Sequence, residues 1–564
     1  MNRRLIECVP NISEGRDRSK IDAITAVVEA VEGVRLLDVD AGKATNRTVI
    51  TFVGEPGPVC EAAFRLIKKA QELIDMRGHK GEHPRFGATD VCPLVPISGI
   101  SMEETATFAR GLAERVGKEL AIPVYCYEAA ASEEKRRNLA NDRSGEYEGL
   151  PKKLKDPAWK PDFGPAEFTD SVARSGAIAI GARNFLVAYN VNLNTTSTRR
   201  ANAIAFDIRE AGRVLREGDP VTGKPILDAN GEPQKIPGKL KAVKGIGWFI
   251  EEYGIAQLSL NLTDITVTPV HIAFDEACKS SAQRGIRVTG SELVGLIPKQ
   301  SLLDAADFYL ARQERSLGIS EREKIKIAVK SLGLDDLGPF DPQKKVIEYM
   351  LEEAGAERLV RMDLKRFSEE TAAESPAPGG GSVAAYVGAL GVSLGTMVAN
   401  LSAHKRGWDE RWEEFSRWAV KGEKLRNELL FLVDEDTRAF DRIMRAMGLP
   451  KGSPEEQTVR KNAVREATKG AINTPLRTMQ VCVESMDLMK AMAQNGLKAS
   501  VSDAGVGALC ARTGAIGAYL NVRINCAGLD DEAFKADVLK QAEDLKTRAE
   551  TLEKEVMGST LAKV

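Results

Sequence analysis

The sequence lacks an excess of basic residues. Lys and Arg number 79 and Asp and Glu number 81 in 564 residues, so the formal net charge is -2 at pH 7. Proteins that bind the phosphate backbone of nucleic acids carry clustered positive charge. We therefore expect no nucleic-acid partner.

The sequence also lacks paired cysteines and an apolar leader. Its eight cysteines are scattered without a CxxC motif, which is typical of reduced thiols and not of a disulfide framework or a zinc site. The first residues, MNRRLIECVPN, are charged and contain no apolar run of signal-peptide length before Pro10. We expect a cytoplasmic protein without a bound metal.

Long uncharged segments are rare, and one of them is long enough to cross a membrane. Residues Gly379 to Leu401 contain no charged side chain. The segment starts with three glycines, is otherwise dominated by Ala, Ser and Val, and stands alone in a chain that is 28% charged. We interpret it as a buried helix and expect no membrane span.

The chain divides into two patterns. Up to about residue 350, short β-rich runs alternate with helical segments, which predicts an α/β (α+β) half. From about 360 onward, Ala, Leu, Glu and Lys recur at helical spacing, which predicts an all-α half. We expect a linker at 351–359 and, from the turn residues between Gly218 and Lys239, an exposed hairpin insertion. The β-rich runs are Val34–Asp40, Thr48–Val53, Ala177–Ile180, Phe185–Leu193 and Gln257–Leu262.

Two of the chain's four histidines, His79 and His83, lie in the segment RGHKGEHPRFGATD. An imidazole titrates near neutral pH and suits acid-base transfer. The i, i+4 spacing also fits zinc ligation on a helix, but glycines and a proline favour a loop. A structural role, acid-base work and metal binding, with Asp90 or Cys92 as a third ligand, all remain open.

Basic side chains surround these histidines. Arg77, Lys80 and Arg85 lie in the same segment, and Arg47 lies upstream in DVDAGKATNRT. A guanidinium binds a carboxylate through two parallel hydrogen bonds, so these residues suit an anionic substrate. The alternative is that each is a solvated surface charge.

Several segments of the first half resemble the formiminotransferase module of the formiminotransferase-cyclodeaminase family. They are LIECVPNISEGRD, LLDVDAG, NRTVITFVG, LIDMRGHKGEHPRFGATDVCPL, GEYEGLPKKL, KGIGWFIEE and GSELVGLIP. The resemblance implies transfer of a formimidoyl group from N-formimidoyl-L-glutamate to N5 of tetrahydrofolate, with His83 as the acid-base residue. Asp40, Arg47 and Arg85 are then candidate substrate-binding residues.

The same resemblance implies two subdomains, 1–185 and 186–350, that enclose a folate tunnel. The folate-contact segment corresponds to Gly164, Pro165, Ala166, Glu167 and Phe168 in DFGPAEF. After it, Asp170–Ser175 is a stretch in which this chain looks longer than the family pattern. A second folate contact, usually Asn, corresponds to Asp207, whose ionised side chain only accepts hydrogen bonds.

A helix through NELLFLVDEDTRAFDRIMRAM carries the main candidate of the second half. Its apolar stripe of Leu429, Val433, Phe440, Ile443 and Met447 includes Asp436. Burial, together with the neighbouring Asp434 and Glu435, is expected to raise the pKa of Asp436. A buried Asp paired with an arginine from another helix, or one that caps a broken helix, is an equally good interpretation of the pattern.

Upstream of that helix, SPAPGGGSVAAYVGALG predicts a helix that starts at Gly379, Gly380 and Gly381. Backbone N–H groups at such a start hold an anion or a carbonyl-rich ring, although close helix packing also explains the small residues. APGGGSVAA, LVDEDTRAF and GAIGAYLNVRIN resemble the cyclodeaminase module of the same family. This resemblance implies a helical domain at 360–564, ring closure to 5,10-methenyltetrahydrofolate with release of ammonia, and Asp436 as the catalytic carboxylate.

The family resemblance also implies a homo-oligomer, an octamer in the known members. It implies tetrahydrofolate, with a polyglutamate tail, as co-substrate; His404, Lys405 and Arg406 are candidates to contact that tail or form a solvated loop. A non-catalytic folate-binding scaffold and a metal-dependent hydrolase that uses His79 and His83 are the alternatives.

Overall fold

The computed structural model describes residues 4–42, 46–80, 85–218, 223–351, 359–375 and 377–564. By the packing of the chain it contains two compact units, residues 1–302 with 332–352 and residues 303–331 with 353–564. The first unit contains every strand of the described residues, and the second is helical, so the predicted division into an α/β half and an all-α half is confirmed.

The strands are short, and most of them contain buried residues; the two residues of β10 are exposed. They are β1 (Leu5–Cys8), β2 (Asn11–Ile12), β3 (Val34–Gly42), β4 (Arg47–Gly54), β5 (Thr89–Ser98), β6 (Val124–Glu128), β7 (Ile178–Ala182), β8 (Val187–Leu193), β9 (Arg213–Val214), β10 (Lys235–Ile236), β11 (Val243–Ile250), β12 (Ile255–Leu262) and β13 (Val288–Val294). Each predicted β-rich run corresponds to one of them.

The helices of the first 351 residues alternate with the strands. They are α1 (Arg18–Glu29), α2 (Pro56–Leu73), α3 (Met102–Glu119), α4 (Leu139–Asp142), α5 (Glu146–Lys153), α6 (Asp170–Ser175), α7 (Thr198–Ile208), α8 (Val270–Ala282), α9 (Lys299–Arg312), α10 (Glu321–Leu332), α11 (Pro342–Lys345) and α12 (Ile347–Leu351).

The larger sheet has seven strands. β3 pairs with β4, β4 pairs with β1 and β2, both of these pair with β5, and β5, β7 and β6 run parallel. Helices α1, α2 and α3 cover one face, where their apolar side chains form a core with alternate residues of the strands. Because β2 runs antiparallel to both β4 and β5, its last residue, Ile12, lies opposite Thr48 and Thr89, and the starts of β4 and β5 reach the same end of the sheet.

The smaller sheet is antiparallel, in the order β11-β12-β8-β13. Helices α7 and α8 cover the face formed by Tyr189, Val191, Leu258 and Leu260. The segment after α7 forms a separate two-stranded ribbon from β9 and β10, with exposed residues between 223 and 239. The exposed hairpin predicted from the turn residues is therefore confirmed for the described residues.

Helices form the second unit. Besides most of α9 and α10, it contains α13 (Leu364–Ala372), α14 (Gly380–Ala403), α15 (Trp412–Met447), α16 (Pro454–Asn495), α17 (Val501–Cys526) and α18 (Glu532–Leu561). Helix α14 packs against α15, α16 and α17, and α18 covers α16 and α17.

Helix α14 is the segment predicted to be a buried helix. It is long and apolar enough to cross a membrane, yet 61% of its most apolar window is buried inside the protein. A Cβ at Gly391 would lie 2.6 Å from the carbonyl oxygen of Gly507, and one at Gly395 would lie 3.0 Å from Met489 Sδ. Its glycines thus permit close approach of the neighbouring helices, as expected for a core helix.

Replacing Gly391 by alanine should destabilise the helical unit, because the new methyl group has no room against the Gly507 carbonyl. We expect a loss of about 1–3 kcal/mol, which lowers the midpoint of thermal unfolding by roughly 3–10 °C for a unit of this size. Circular dichroism at the helix minimum measures it.

Gly558→Ala is the matched control. A Cβ added at this helical glycine would meet no heavy atom within 4 Å, so alanine should leave the midpoint unchanged or raise it slightly through its higher helix propensity. Equal destabilisation by both substitutions would contradict the steric explanation.

Candidate functional sites

The predicted acid-base residue His83 lies outside the described residues, as do Gly81, Glu82 and Pro84. The residues on either side of this gap, His79, Lys80 and Arg85, are described. The site of the first unit is therefore defined by the residues that flank the segment and by their partners.

His79 follows a short 3₁₀ helix, Met76–Gly78, and is half-buried. Its Nε2 lies 3.0 Å from the carbonyl oxygen of Asn46. Because a carbonyl only accepts, Nε2 carries the proton and a neutral ring presents Nδ1 as an acceptor. Burial lowers the pKa of His79, and the nearby charge of Arg85 lowers it further, so the ring is neutral at physiological pH.

The Asn46 side chain connects the backbone at Gly15 with the backbone at Lys80. Its side-chain oxygen accepts a hydrogen bond from the Gly15 N–H at 3.0 Å, and its side-chain nitrogen donates to the Lys80 carbonyl at 3.0 Å. The start of β4 is thereby fixed to the histidine segment. The prediction that this segment is a loop is confirmed for the described residues 79, 80 and 85, none of which lies in an α-helix.

Beside it, the carboxylate of Asp90 joins two arginines. Arg47 Nη1 lies 2.7 Å and Arg143 Nη2 lies 2.8 Å from the same oxygen, Asp90 Oδ2. Arg47 Nε also donates to Asn11 Oδ1 at 3.0 Å. The Asp90 side chain is only 1% exposed, whereas those of Arg47 and Arg143 are 14% and 16% exposed. Asp90 thus orients the two arginines and does not itself reach solvent.

Arg85 is held by acidic residues of α5. Its Nη1 donates to Glu148 Oε2 at 2.9 Å and lies 3.5 Å from Glu146 Oε2, while Nη2 contacts Glu148 Oε1. The pKa of Glu148 is lowered, chiefly by the hydrogen bond from Arg85. Arg85, predicted as a substrate ligand, is thus engaged by carboxylates of the protein itself.

The structure brings Gly164–Phe168 to this region. The Phe168 ring lies 6.5 Å from the Tyr147 ring, and the Tyr147 N–H donates to the Arg85 carbonyl at 2.9 Å. Gly164 has a positive φ of 83°, and its Cβ would lie 2.1 Å from the Ile122 carbonyl oxygen, so only glycine fits. Glu167 and Phe168 are exposed and Pro165 and Ala166 are half-buried.

The stretch Asp170–Ser175 forms the short helix α6 and packs beside the histidine segment. Arg174 Nη2 donates to the Glu72 carbonyl at 2.7 Å, and Tyr147 Oη donates to the Ala173 carbonyl. Gly87 and Gly176 then cross in van der Waals contact, since a Cβ on Gly176 would lie 2.4 Å from Gly87 Cα. These contacts place the predicted folate segment alongside residues 76–78 and 85–88.

Asp40 and Asp207 have other surroundings. Asp40 is exposed near the end of β3, which pairs with β4. Asp207 lies on α7, where it forms ion pairs with Arg213 and Arg284 and accepts a hydrogen bond from Ser280 Oγ at 3.2 Å. All three partners belong to the part of the chain that contains the smaller sheet, so a folate contact at Asp207 would compete with them.

In the helical unit, Asp436 of α15 lies against the first turn of α14. Its Oδ2 accepts a hydrogen bond from Ser382 Oγ at 3.2 Å, and the Ser382 backbone N–H also donates to it. A Cβ on Gly381 would lie 2.2 Å from Asp436 Oδ1, so the carboxylate occupies the space that a side chain would need. Gly380 faces Asn521 of α17, and Gly379 is the N-cap residue. The three glycines and Asp436 are therefore brought together.

The apolar stripe around Asp436 is only partly as predicted. Leu429 and Val433 are fully buried, but Phe440 is 49% and Met447 is 47% exposed. The reason is that α14 begins opposite Asp436, so it covers α15 only up to that level. Asp436 consequently lies half-buried where a packed interface ends, instead of inside a continuous buried stripe.

The predicted rise in the pKa of Asp436 is confirmed. Burial raises it, and the hydrogen bonds from Ser382 oppose that effect. The additional repulsion expected from Asp434 and Glu435 is not among the causes. Glu435 points to Arg442 and Arg438, at 2.7 and 3.4 Å, which neutralise it. Asp436 thus accepts hydrogen bonds at the first turn of α14. Its own helix α15 is continuous from Trp412 to Met447, so the alternative of an Asp that caps a broken helix is wrong.

The side chains of the basic stretch that starts at His404 have different surroundings. His404 Nε2 accepts a hydrogen bond from the Ser316 N–H at 3.1 Å, and burial lowers its pKa. Lys405 Nζ lies 4.1 Å from the centre of the Trp408 ring. His404 is thus engaged by the helical unit.

The proposed third metal ligands have other partners. Asp90 binds two arginines, and Cys92 Sγ lies 3.5 Å from Cys8 Sγ in the core. In the parts of the chain that the structure describes, no three His, Cys, Asp or Glu side chains group as a metal site would require.

Sequence reasoning missed Arg143, Glu146 and Glu148 as parts of the first site and Ser382 as a partner of Asp436. Glu146 and Glu148 lie in GEYEGLPKKL, and Arg143 lies two residues before it. The concentration of charged side chains in this segment was the feature that could have indicated a part of the site. Ser382 follows the triple glycine directly, at the position where a first-turn N–H and hydroxyl are both free to donate.

The protein contains an α/β unit and a helical unit, and each has its own polar cluster around a carboxylate. This organisation is that of an enzyme built of two modules. Family models match along nearly the whole chain: the formiminotransferase domain N-terminal subdomain over residues 5–183, the formiminotransferase domain over 188–352 and formiminotransferase-cyclodeaminase over 363–544.

Curated relatives agree. The formimidoyltransferase-cyclodeaminase of Rattus norvegicus is 42% identical over 99% of both chains. The glutamate formimidoyltransferase of Thermoplasma acidophilum is 42% identical over 54% of this chain and 92% of its own. The methenyltetrahydrofolate cyclohydrolase of Methylorubrum extorquens is 38% identical over 36% of this chain and 97% of its own. The chain belongs to the formimidoyltransferase-cyclodeaminase family, and the predicted resemblance is confirmed.

The raised pKa of Asp436 predicts a pH-dependent gain in stability for Asp436→Asn. The pKa is higher in the folded than in the unfolded chain, so the parent loses stability as pH rises from the unfolded pKa through the folded one. The neutral amide avoids this loss. Thermal unfolding should show a small advantage of the variant at pH 4.5 and a larger one at pH 8.

Asp434→Asn serves as the comparison, because Asp434 lies on the same turn and does not contact Ser382 through any described hydrogen bond. An advantage of Asp436→Asn that shrank with rising pH would contradict the assignment of a raised pKa.

Proposed function

We propose that this chain is a bifunctional folate enzyme. Its first unit transfers the formimidoyl group of N-formimidoyl-L-glutamate to N5 of tetrahydrofolate, and its helical unit closes the product to 5,10-methenyltetrahydrofolate and releases ammonia. The observation that carries this proposal is the match to bifunctional relatives over 99% of the chain, supported in each unit by a polar cluster suited to one of the two steps.

In the transfer step, N5 attacks the amidinium carbon and forms a tetrahedral intermediate. The N5 proton must leave, and the departing glutamate nitrogen must gain one. We assign both transfers to His83, since an imidazole accepts and returns protons near neutral pH. The cationic Arg47 favours binding of an anionic amino acid over binding of a second cation.

In the closure step, N10 attacks the formimidoyl carbon already bonded to N5, a five-membered ring forms, and ammonia leaves. The leaving nitrogen needs a proton. Asp436 is suited to supply it, because its raised pKa keeps a larger fraction of the acid form near neutrality than an exposed aspartate has. The free N–H groups at Gly380 and Gly381 suit a carbonyl-rich pterin ring beside it.

Tetrahydrofolate is the co-substrate of both steps in this proposal. Gly164–Phe168 and Asp207 are proposed folate contacts, within a tunnel between subdomains 1–185 and 186–350. The Phe168 ring, 37% exposed beside Tyr147, offers an aromatic face for a pterin. Lys405 and Arg406 are proposed to attract a polyglutamate tail, and no metal takes part.

We further propose a cytoplasmic homo-oligomer with the helical domain at 360–564. Of the predicted linker at 351–359, residues 352–358 lie outside the described residues. Exposed apolar side chains on α14 and α17, among them Leu390, Met397, Leu520 and Ile524, support self-association.

Single substitutions should separate the two activities. His83→Ala should lower transfer about 10²–10⁴-fold, the usual contribution of a general acid-base residue, and leave closure of supplied 5-formimidoyltetrahydrofolate intact. Asp436→Ala should do the reverse. Methenyltetrahydrofolate absorbance follows the closure step, and ammonia release provides an independent readout.

The other activity of each variant is its folding control. Loss of both activities in either variant would count against separate sites. Tetrahydrofolate binding by the parent without any ammonia release would favour a non-catalytic scaffold.

A further inference from the structure

Arg143 is part of the first site but lies outside every segment from which substrate contacts were predicted. It is the C-cap residue of α4. Its Nη2 and Arg47 Nη1 converge on one oxygen of Asp90, at 2.8 and 2.7 Å. Arg47 is held from a second side, because its Nε donates to Asn11 Oδ1 at 3.0 Å.

The two guanidinium groups are close enough to influence each other. Burial lowers the pKa of Arg47, and the positive charge of Arg143 lowers it further. Both side chains keep a part of their surface exposed, while Asp90 is nearly inaccessible. A carboxylate bound between the two exposed faces would relieve the mutual repulsion and receive charge-assisted hydrogen bonds from both.

We propose that Arg143, together with Arg47, binds a carboxylate of the glutamate moiety of the transferase substrate. This inference rests on the proposed function and extends it, since it assigns a second guanidinium to recognition of the amino acid. Asp90 is then the positioning residue that sets the angle between the two arginines.

A second positioning residue fixes the backbone that carries Arg143. Lys153 Nζ donates to the carbonyl oxygens of Asn141 at 2.9 Å and of Asp142, and lies 3.4 Å from that of Ser144. The ammonium is enclosed by aromatic rings and lies 4.3 Å from the centre of the Trp159 ring. Lys153 therefore holds the peptide groups on both sides of Arg143.

Burial lowers the pKa of Lys153 to about 8. The backbone of Arg143 is also bound directly, because its N–H donates to Leu139 and its carbonyl accepts from Glu146, at 3.0 and 2.9 Å. The loop is thus rigid before substrate arrives, which reduces the entropy lost on binding.

The test is steady-state kinetics of the full chain with N-formimidoyl-L-glutamate and tetrahydrofolate varied separately. Arg143→Gln should raise the KM for formimidoylglutamate at least about tenfold, as expected for loss of a charged hydrogen bond. The KM for tetrahydrofolate should stay within about twofold of the parent. Inhibition by L-glutamate should weaken in parallel, and Arg143→Lys should restore part of the affinity.

Arg137→Gln is the matched control, an arginine of the same region that is 62% exposed and pairs only with Glu134 among the contacts of the described residues. It should leave both KM values unchanged. Lys153→Met should raise the KM for formimidoylglutamate in the same sense, and Lys153→Arg should raise it less.

Closure of supplied 5-formimidoyltetrahydrofolate reports whether each variant is folded. If the parent is active and Arg143→Gln leaves the KM for formimidoylglutamate unchanged, the inference about Arg143 is overturned and the proposed function is not. Equal increases in both KM values would also overturn it, because they would indicate a general structural role. A parent that transfers no formimidoyl group would overturn the proposed function and this inference with it.

Discussion

Close approach of one backbone to another, at positions where a side chain is missing, determines both candidate sites. In the first unit, Gly87 and Gly176 cross in contact, and this crossing lays the segment after Phe163 beside the histidine segment. In the helical unit, Gly381 leaves the space that the Asp436 carboxylate fills, and Gly391 and Gly507 bring α14 and α17 together. A β-carbon at any of these positions would separate elements that the sites need in contact.

The two units treat a central carboxylate in opposite ways. Asp90 is surrounded by cationic groups, so it serves as a fixed anion that orients Arg47 and Arg143. Asp436 has no cation among the causes of its altered pKa, and among the described residues its hydrogen-bond donors are the hydroxyl and N–H of Ser382. Burial without a counter-ion favours the protonated form. The same chemical group is thus held as a fixed anion in one site and shifted toward its protonated form in the other, and its neighbours decide which.

Much of the fold follows from local pattern, because alternation and helical spacing depend on neighbours in sequence. The β-rich runs, the hairpin insertion and the apolar helix from Gly379 all correspond to elements of the structure. The continuation of the apolar stripe to Phe440 and Met447 was wrong, since periodicity does not reveal where the covering helix α14 begins. The point at which one helix stops covering another is set by packing between segments that are distant in sequence. A single sequence does not show that packing.

The sites were predictable to the extent that a motif carries its own chemistry. His79, Arg85 and Asp436 stand out by residue type and context, and the structure gives each a defined environment. Arg143 did not, because its partner Asp90 lies 53 positions earlier. The two meet through pairing of β5 with β7 and of β7 with β6, which α4 contacts. Asp207 shows the converse. Its position matches a family contact, yet Arg213 and Arg284 already engage it.

The close contact between α14 and α17 at Gly391 and Gly507 limits which substitutions evolution can accept there. When a bulky residue enters an ordinary core, a smaller residue opposite can compensate for it. Here the residue opposite Gly391 is Gly507, and the atom in the way is a carbonyl oxygen that every amino acid has. No second-site suppressor in the facing helix can restore the fit, so this pair of positions must be retained together or lost together with the helix arrangement.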